Sequence, residues 1–496
     1  MSNFVNNIQS YLGPKGYSIY KDSITVDIQH KIRGELTVKP NMPKTSMVQP
    51  KEFPIYRESP KKLYVPRFYG ENLYGKCNDS TLGEGTDITI EFTGQLRDFQ
   101  KPIVDKYIKN AKQNGGGLLE IPCGFGKTVM ALKIISELKK KTIVIVHKEF
   151  LLQQWVERIK EFLPDARIGR IQGEKYLDVE NKDIVIGMLQ SLSMKTYPDS
   201  LFKEFGLTII DETHHIGAEV FSNALFQIVT PYMLGLSATM TRKDGLSKVF
   251  KMFIGEVIYK LKRESDDNVI IQNINYINDD EEFGETVYNF KGQTHYAIMI
   301  KKLCEFNPRC EFILTVLREL LKDEKNKQIM ILAHNKNLLI YLYNSIEHKK
   351  IATVGYYIGG MKQDKLKLSE DKKVIIATYA MAEEALDIKT LSTLIMATPK
   401  TDVTQAVGRI LRTKHEQAIV VDIVDQHDIF KRQWKKRESF YKKNDYKILT
   451  TSSNIYGSNC WHTSYDPKNK EHKKSKKDTS GEKELKGKCL LNSNDL

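Results

Sequence analysis

The sequence predicts an α/β protein built as two tandem parallel-sheet domains, with a small strand-rich domain before them and a disordered tail after. Three observations predict this. Short, wholly apolar runs alternate with amphipathic segments, that series occurs twice, and the last part of the chain loses apolar periodicity altogether. Strands that are apolar throughout are buried on both faces, and strands that alternate with helices assemble into parallel sheets. A chain of 496 residues has room for about three domains of ordinary size.

Residues 1–90 read as an N-terminal accessory domain, rich in Tyr, Pro and Lys, with alternating strand-like runs at Ser23–Gln29 and Lys62–Tyr69. Residues 91–262 form the first α/β domain, with apolar strands expected at Gly117–Ile121, Thr142–Val146, Asp183–Gly187, Leu207–Asp211 and Met233–Ser237. Residues 263–452 comprise a linker and the second α/β domain. The linker is expected from Lys262 to about Thr294, a polar stretch containing the acidic run Asp279–Glu282, followed by a helical run over Ala297–Leu321. Further strands are expected at Gln328–Ala333, Lys373–Thr378, Thr393–Ala397 and Gln417–Ile423. Residues 453–496 read as a basic, disordered tail, because the Lys, Glu, Ser and Gly run from Pro467 to Lys488 cannot bury enough apolar surface to offset its ordering entropy.

Lys and Arg exceed Asp and Glu by 76 − 62 = +14, which favours a polyanionic partner such as nucleic acid, although a Lys-rich solvated surface has the same arithmetic. The six cysteines (77, 123, 304, 310, 460 and 489) form no C-x-x-C pair and sit at no zinc-finger spacing, so neither a disulfide framework nor a structural metal is expected. No apolar run approaches the ~20 residues that span a bilayer, and the N-terminus lacks the basic and apolar regions of a secretory signal. An intracellular, soluble protein without a membrane partner is the expectation.

Chemistry concentrates in a few motifs. Ile121-Pro-Cys-Gly-Phe-Gly-Lys-Thr128 follows an apolar strand and opens an amphipathic helix, the context a phosphate-binding loop needs. Gly124 and Gly126 let backbone N–H groups approach phosphates, Lys127 aims a point charge at the β and γ groups, and the Thr128 hydroxyl is placed for Mg²⁺. Cys123 and Phe125 complete the nucleotide-binding loop. Its strict pattern is incomplete, since Ile121 stands where a first Gly belongs. Asp211 and Glu212 follow the strand 207–210, at the carboxyl end where open α/β sheets bind ligands. Asp211 is expected to hold Mg²⁺, and Glu212 to orient or deprotonate the attacking water.

Ser237-Ala-Thr239 ends the next strand, and Gln405-Ala-Val-Gly-Arg-Ile-Leu-Arg412 lies in the second α/β domain. With the loop and the Asp211–His215 box, this ordered series resembles the motifs of superfamily 2 helicases over roughly residues 91–425. The resemblance implies two RecA-like domains with ATP and Mg²⁺ between them, and catalytic arginines at Arg409 and Arg412 that couple transition-state charge to domain closure. Leu96-Arg-Asp-Phe-Gln100, the Pro-Cys-Gly-Phe-Gly-Lys-Thr loop and Asp-Glu-Thr-His-His are similar to the XPB-like branch and to the transcript-release helicases of poxviruses and other large DNA viruses. That likeness implies that Gln100 and Arg97 bind the adenine side of the nucleotide, and that Asp387, in Ala382-Glu-Glu-Ala-Leu-Asp387, belongs to the nucleotide site. Two departures stand out: Arg242-Lys-Asp244 where XPB proteins have Arg-Glu-Asp, and Ala385 where the family has Gly.

The resemblance implies nucleic-acid contacts from His147–Trp155, Gln190, Ser191, Ala377 and Thr378, mostly to phosphate and sugar. Trp155, at helical spacing from Leu151, Leu152 and Ile159, is assigned to the core rather than to a stacking face. The function expected is an ATP-dependent helicase or translocase on DNA, with 3′ to 5′ polarity, in viral transcription or repair. The transcription machinery is an expected partner, and a host-cell replication site or virion the location if the protein is viral. An RNA helicase, or an ATP-switched nucleic-acid scaffold without processive unwinding, are the alternatives.

Overall fold

The computed structural model describes residues 8–468, apart from 42–49, 123, 174–175, 213–217, 241–243, 262–268, 324–327, 385–387, 389, 412–416 and 459. The chain divides into two compact units, Met1–Lys262 and Arg263–Leu496. Each contains an eight-stranded, mostly parallel sheet, the tandem RecA-like arrangement.

In the first unit the strand order is Tyr176–Asp178, Ile168–Gln172, Ile184–Met188, Thr142–Val146, Leu207–Ile210, Tyr232–Ser237, Gly116–Glu120, Val257–Lys260. Only Tyr176–Asp178 runs antiparallel to its neighbour. The strands Thr142–Val146, Ile184–Met188 and Leu207–Ile210 are buried at every residue, because helices cover both faces. Parallel strands place all their carboxyl ends on one edge, and the motif loops leave from that edge.

The N-terminal residues add a five-stranded sheet, with Ser10–Gly13 and Gly16–Tyr20 in its centre. Its inner face, Tyr17, Ile19, Leu63 and Val65, belongs to the same apolar core as Leu118 and Ile143 of the parallel sheet. The Arg67 guanidinium fastens the join, donating to the carbonyls of Pro231 at 2.9 Å and Thr230 at 3.3 Å while paired with Glu71 at 2.8 Å. The strand expected over Ser23–Gln29 is instead a helix, Val26–Glu35. Thr25 decides this: its Oγ1 accepts the Ile28 N–H at 3.3 Å, an N-cap that the local alternation Ile-Thr-Val-Asp-Ile conceals.

The second unit orders its strands Val354–Tyr357, Val374–Thr378, Ile329–Ala333, Thr393–Met396, Ala418–Asp425, Val269–Tyr276, Lys447–Ser452, His462–Tyr465. Two of these strands correct the sequence reading. Val269–Tyr276 lies in the stretch expected to be linker, yet it pairs over its whole length with Ala418–Asp425 and buries Val269, Ile271 and Ile274. His462–Tyr465 lies in the stretch expected to be tail, and pairs antiparallel with Lys447–Ser452 at the sheet edge. Its polar His-Thr-Ser-Tyr composition suits an edge strand, whose outer side faces water. The remainder of that tail, from residue 469, lies outside the described residues. The helical run expected over 297–321 is two helices, Tyr296–Glu305 and Asn307–Leu321, broken where Pro308 enters the first turn of the second.

Two buried ion pairs brace this unit. Arg309 forks onto Asp425 with both residues fully buried, and donates to the Ala397 carbonyl at 2.8 Å. Arg437 forks onto Asp422, which also accepts from the Tyr441 hydroxyl at 3.0 Å. Both acids sit on the strand Ala418–Asp425, buried at every position. Among the described residues no helix is long and apolar enough to cross a membrane.

Candidate nucleotide and nucleic-acid site

The loop expected to bind phosphate connects the strand Gly116–Glu120 to the helix Lys127–Leu138. Gly124 and Gly126 both adopt positive φ, 85° and 78°, which turns the chain sharply into the N-terminus of that helix. A Cβ on Gly126 would lie 2.4 Å from Gln100 Nε2, so this position also has no room for a side chain. Ile121 N–H donates to the Ser237 carbonyl at 2.8 Å, which ties the start of the loop to the end of the adjacent strand.

Gln100 holds the loop from below. It is buried; its Nε2 donates to the Phe125 carbonyl at 2.8 Å and its Oε1 accepts from the Arg97 backbone N–H at 2.9 Å. Phe99 meets Phe125 edge to face at 5.7 Å. The two ends of the side-chain amide, expected to face adenine, are thus engaged with protein. Arg97 itself lies at the same turn.

Asp211 and Glu212 leave the strand Leu207–Ile210 on the same edge of the sheet. Lys127 Nζ and Glu212 Oε1 are paired at 2.8 Å, linking the loop to the acidic box across 85 residues of sequence. Glu212 carries φ 50°, a left-handed conformation that a non-glycine residue adopts at a cost and that concentrates at working sites. Asp211 is buried, with Oδ2 accepting from Trp155 Nε1 and Oδ1 from the Glu212 N–H, each at 2.9 Å. Burial pushes the Asp211 carboxyl up to about 6, and the Glu212 carboxylate adds to this; the Lys127 ammonium and the Trp155 N–H act in the opposite direction. Trp155 is in the core, as its spacing implies, but it has a second task that the sequence reading missed. The available signal was chemical: a buried indole N–H needs an acceptor.

The donor set suits a hard divalent cation held together with phosphate. Thr128 lies in the first turn of the helix, the Asp211 carboxylate is buried at another point of the same sheet edge, and a nearby cation would reverse the effect of burial on that carboxylate. Among the described residues no group of three or more His, Cys, Asp or Glu could hold a metal alone, so substrate oxygens would have to complete the shell.

His147, Gln190 and Ser191 follow the strands Thr142–Val146 and Ile184–Met188 on this edge, where Gln190 Nε2 donates to the His147 carbonyl at 3.0 Å and the Ser191 hydroxyl accepts the Gly173 N–H at 2.8 Å. Ser237 Oγ donates to the Thr239 carbonyl at 2.6 Å and accepts the Thr239 N–H at 3.3 Å, closing a tight turn after its strand.

In the second unit Ala377 and Thr378 end the strand Val374–Thr378, on that sheet's own carboxyl edge. Arg409 is buried at the last turn of the helix Thr404–Arg409. His334, after the strand Ile329–Ala333, bonds Thr398 Oγ1 through Nδ1 at 2.9 Å. His334 keeps an exposed surface, while partial desolvation against the protein and then the Lys400 ammonium hold its imidazole below the usual range. Cys123, Arg242, Asp387 and Arg412 lie outside the described residues, as do Thr213, His214 and His215.

Residues 93–242 match the family described as the type III restriction enzyme res subunit, and residues 311–414 match the helicase conserved C-terminal domain. A protein of Acanthamoeba polyphaga mimivirus, named as an ATP-dependent RNA helicase, is 36% identical over 456 residues, covering 89% of this chain and 87% of the relative. A DNA 3′-5′ translocase of Sulfurisphaera tokodaii is 24% identical over 380 residues, covering 66% of this chain and 81% of the relative. The crystal structure of the Pyrococcus furiosus Hef helicase domain aligns with 69% of this chain and 98% of its own, at 15% identity and a TM-score of 0.46.

Proposed function

Since the chain belongs to the superfamily 2 helicases, ATP-hydrolysing enzymes that act on nucleic acid, we propose that it is a translocase or helicase working on DNA in viral transcription or repair. The observation that carries the chemistry is the Lys127–Glu212 pair at 2.8 Å, which brings the phosphate-binding loop and the acidic box to one point. The DNA preference is supported by the likeness of Leu96–Gln100 and of the Asp211–His215 box to the XPB-like branch. The mimivirus relative's name supports the RNA reading.

In this reading the loop N–H groups and the N-terminus of the helix Lys127–Leu138 receive the phosphates. Lys127 turns from Glu212 to the β and γ oxygens, and the exchange has a consequence: Glu212 is released to orient the attacking water and take its proton. The ion pair therefore keeps the base occupied until nucleotide arrives. Thr128 and Asp211 would hold Mg²⁺, which supplies charge neutralisation at the phosphates. Trp155 fixes Asp211 so that its carboxylate does not swing. Gln100 holds Phe125, and with it the loop. Arg409, with Arg412 and Asp387, is assigned to the second unit's share of the site, where arginine charge supports the transition state. Strand contacts from Gln190, Ser191, Ala377 and Thr378 are to backbone, which suits movement that ignores sequence.

ATP hydrolysis measured with single-stranded DNA, duplex DNA and RNA tests the proposal. Greater stimulation by DNA is expected. Lys127→Ala should abolish turnover in a folded protein, and Glu212→Gln should retain ATP without hydrolysing it. Stimulation by RNA alone would reassign the substrate, and turnover surviving Lys127→Ala would remove the loop from the chemistry.

A further inference from the structure

Beyond the motif loops, the second unit carries a surface that none of the motifs accounts for. Residues 286–295 fold back as a hairpin, with Tyr288 bridged antiparallel to Thr294. Asn289 staples its tip: its Oδ1 accepts the N–H groups of Lys291 at 2.9 Å and Gln293 at 3.0 Å, and its carbonyl accepts from Gly292 N–H at 2.9 Å. At this fixed tip Phe290 is 82% exposed and Tyr288 62% exposed. Neither ring is packed into the protein's own core; the Lys291 ammonium lies 5.7 Å from the centre of the Phe290 ring, and both rings keep most of their surface open to a ligand.

Beside the hairpin runs the helix Asp428–Lys443. One face is buried through Phe430, Arg437 and Tyr441, while Lys431, Arg432, Lys435, Lys436 and Lys443 are exposed. A cavity of about 440 Å³ separates the two elements, with Tyr288 and Gln293 on one wall and Asp428 and Arg432 on the other. Their relative position is fixed by the sheet. The hairpin's segment leaves the strand Val269–Tyr276 and the helix follows the strand Ala418–Asp425, whose terminal residues Tyr276 and Asp425 are register partners. Two bonds tie the connections together: Asn278 N–H to Gln426 Oε1 at 3.1 Å, and His427 Nε2 to the Phe283 carbonyl at 2.7 Å.

We propose that this hairpin and the exposed face of the helix bind single-stranded nucleic acid, with a base stacked on Phe290 beside Tyr288 and the backbone phosphates on Arg432, Lys435 and Lys436. The inference rests on the nucleic-acid reading above. Aromatic rings next to a row of cations are the combination that grips a single strand without reading sequence, since every base has a stacking face and every nucleotide a phosphate. The Asp428 carboxylate on the cavity wall repels phosphate, which leaves the cavity to a base and the helix face to the backbone. All strands from Val374–Thr378 to Val269–Tyr276 are parallel, so the surface lies on the same sheet edge as Ala377 and Thr378 and extends the strand contacts assigned there.

The test uses the full chain, with labelled single strands of DNA and of RNA in separate binding titrations across a salt series. Phe290→Ala is expected to weaken binding about five- to a hundredfold, and Phe290→Trp to restore it. The triple variant Arg432→Ala, Lys435→Ala, Lys436→Ala is expected to lower the slope of log affinity against log salt by about 2, at roughly 0.7 per phosphate contact. ATP hydrolysis without nucleic acid and the thermal midpoint should not change in either variant. If both variants bind strands like the parent, while the parent binds and is stimulated, the surface is refuted and belongs to another kind of partner. If the parent binds neither DNA nor RNA, the functional reading fails and the surface with it.

Discussion

Replacing Gln100 with Ala separates two roles for the same residue: reading adenine, or holding the phosphate-binding loop. Its amide donates to the Phe125 carbonyl at 2.8 Å and accepts the Arg97 N–H at 2.9 Å, in a position almost closed to solvent. Truncation removes both bonds and leaves both backbone groups without those partners. A lost bond is worth about 1 kcal/mol net and an abandoned buried group about 1–3 kcal/mol, so the two groups together cost about 2–6 kcal/mol. Part of this falls on loop order rather than on folding, because the loop must be reshaped before phosphates can bind. ATP affinity should fall by about ten- to a hundredfold, at roughly 1.4 kcal/mol per tenfold. Phosphates are common to all nucleotides, so GTP affinity should fall by the same factor. Competition of unlabelled ATP and GTP against a fluorescent nucleotide measures both. A loss confined to ATP, with GTP binding unchanged, would refute the loop-holding argument and restore the amide to base recognition.

Trp155→Phe removes the N–H that holds Asp211 Oδ2 at 2.9 Å while keeping a ring in the core; kcat for ATP should drop about tenfold or more with ATP binding retained, and an unchanged kcat would dissociate Trp155 from the site. Asp422→Asn leaves Arg437 buried without its carboxylate partner and should destabilise the second unit by about 3–5 kcal/mol, read from the urea midpoint; a loss below ~1 kcal/mol would contradict the pairing. His334 takes up its proton at a lower pH when folded than when unfolded, so its contribution to stability is present above the usual histidine range and is lost as pH falls below it. Denaturation midpoints measured from pH 7.5 to 4.5 should decline, and His334→Gln should flatten part of that decline; equal slopes in both proteins would exclude the histidine.

The sequence by itself determined the class of fold, five of the eight strands of the first parallel sheet and four of the eight of the second, and it singled out the loop 121–128 and the acidic box as the candidate site. All of these are local. A buried parallel strand is a short apolar run, and a strand, a glycine turn and a helix N-terminus lie next to one another along the chain between Gly116 and Leu138. Where the local pattern was ambiguous, the reading failed: Thr25 caps a helix that alternation made look like a strand, Val269–Tyr276 became a strand through a distant partner, Ala418–Asp425, and the polar His462–Tyr465 did so by pairing at a sheet edge with Lys447–Ser452. The tertiary structure alone decided that Lys127 meets Glu212, that Trp155 holds Asp211, that Gln100 clasps Phe125, and that Arg309 and Arg437 neutralise two aspartates inside a sheet. Each of these joins groups brought close by the folding of separate segments. Their energies depend on a short distance in a site shielded from water, which no window of the sequence contains.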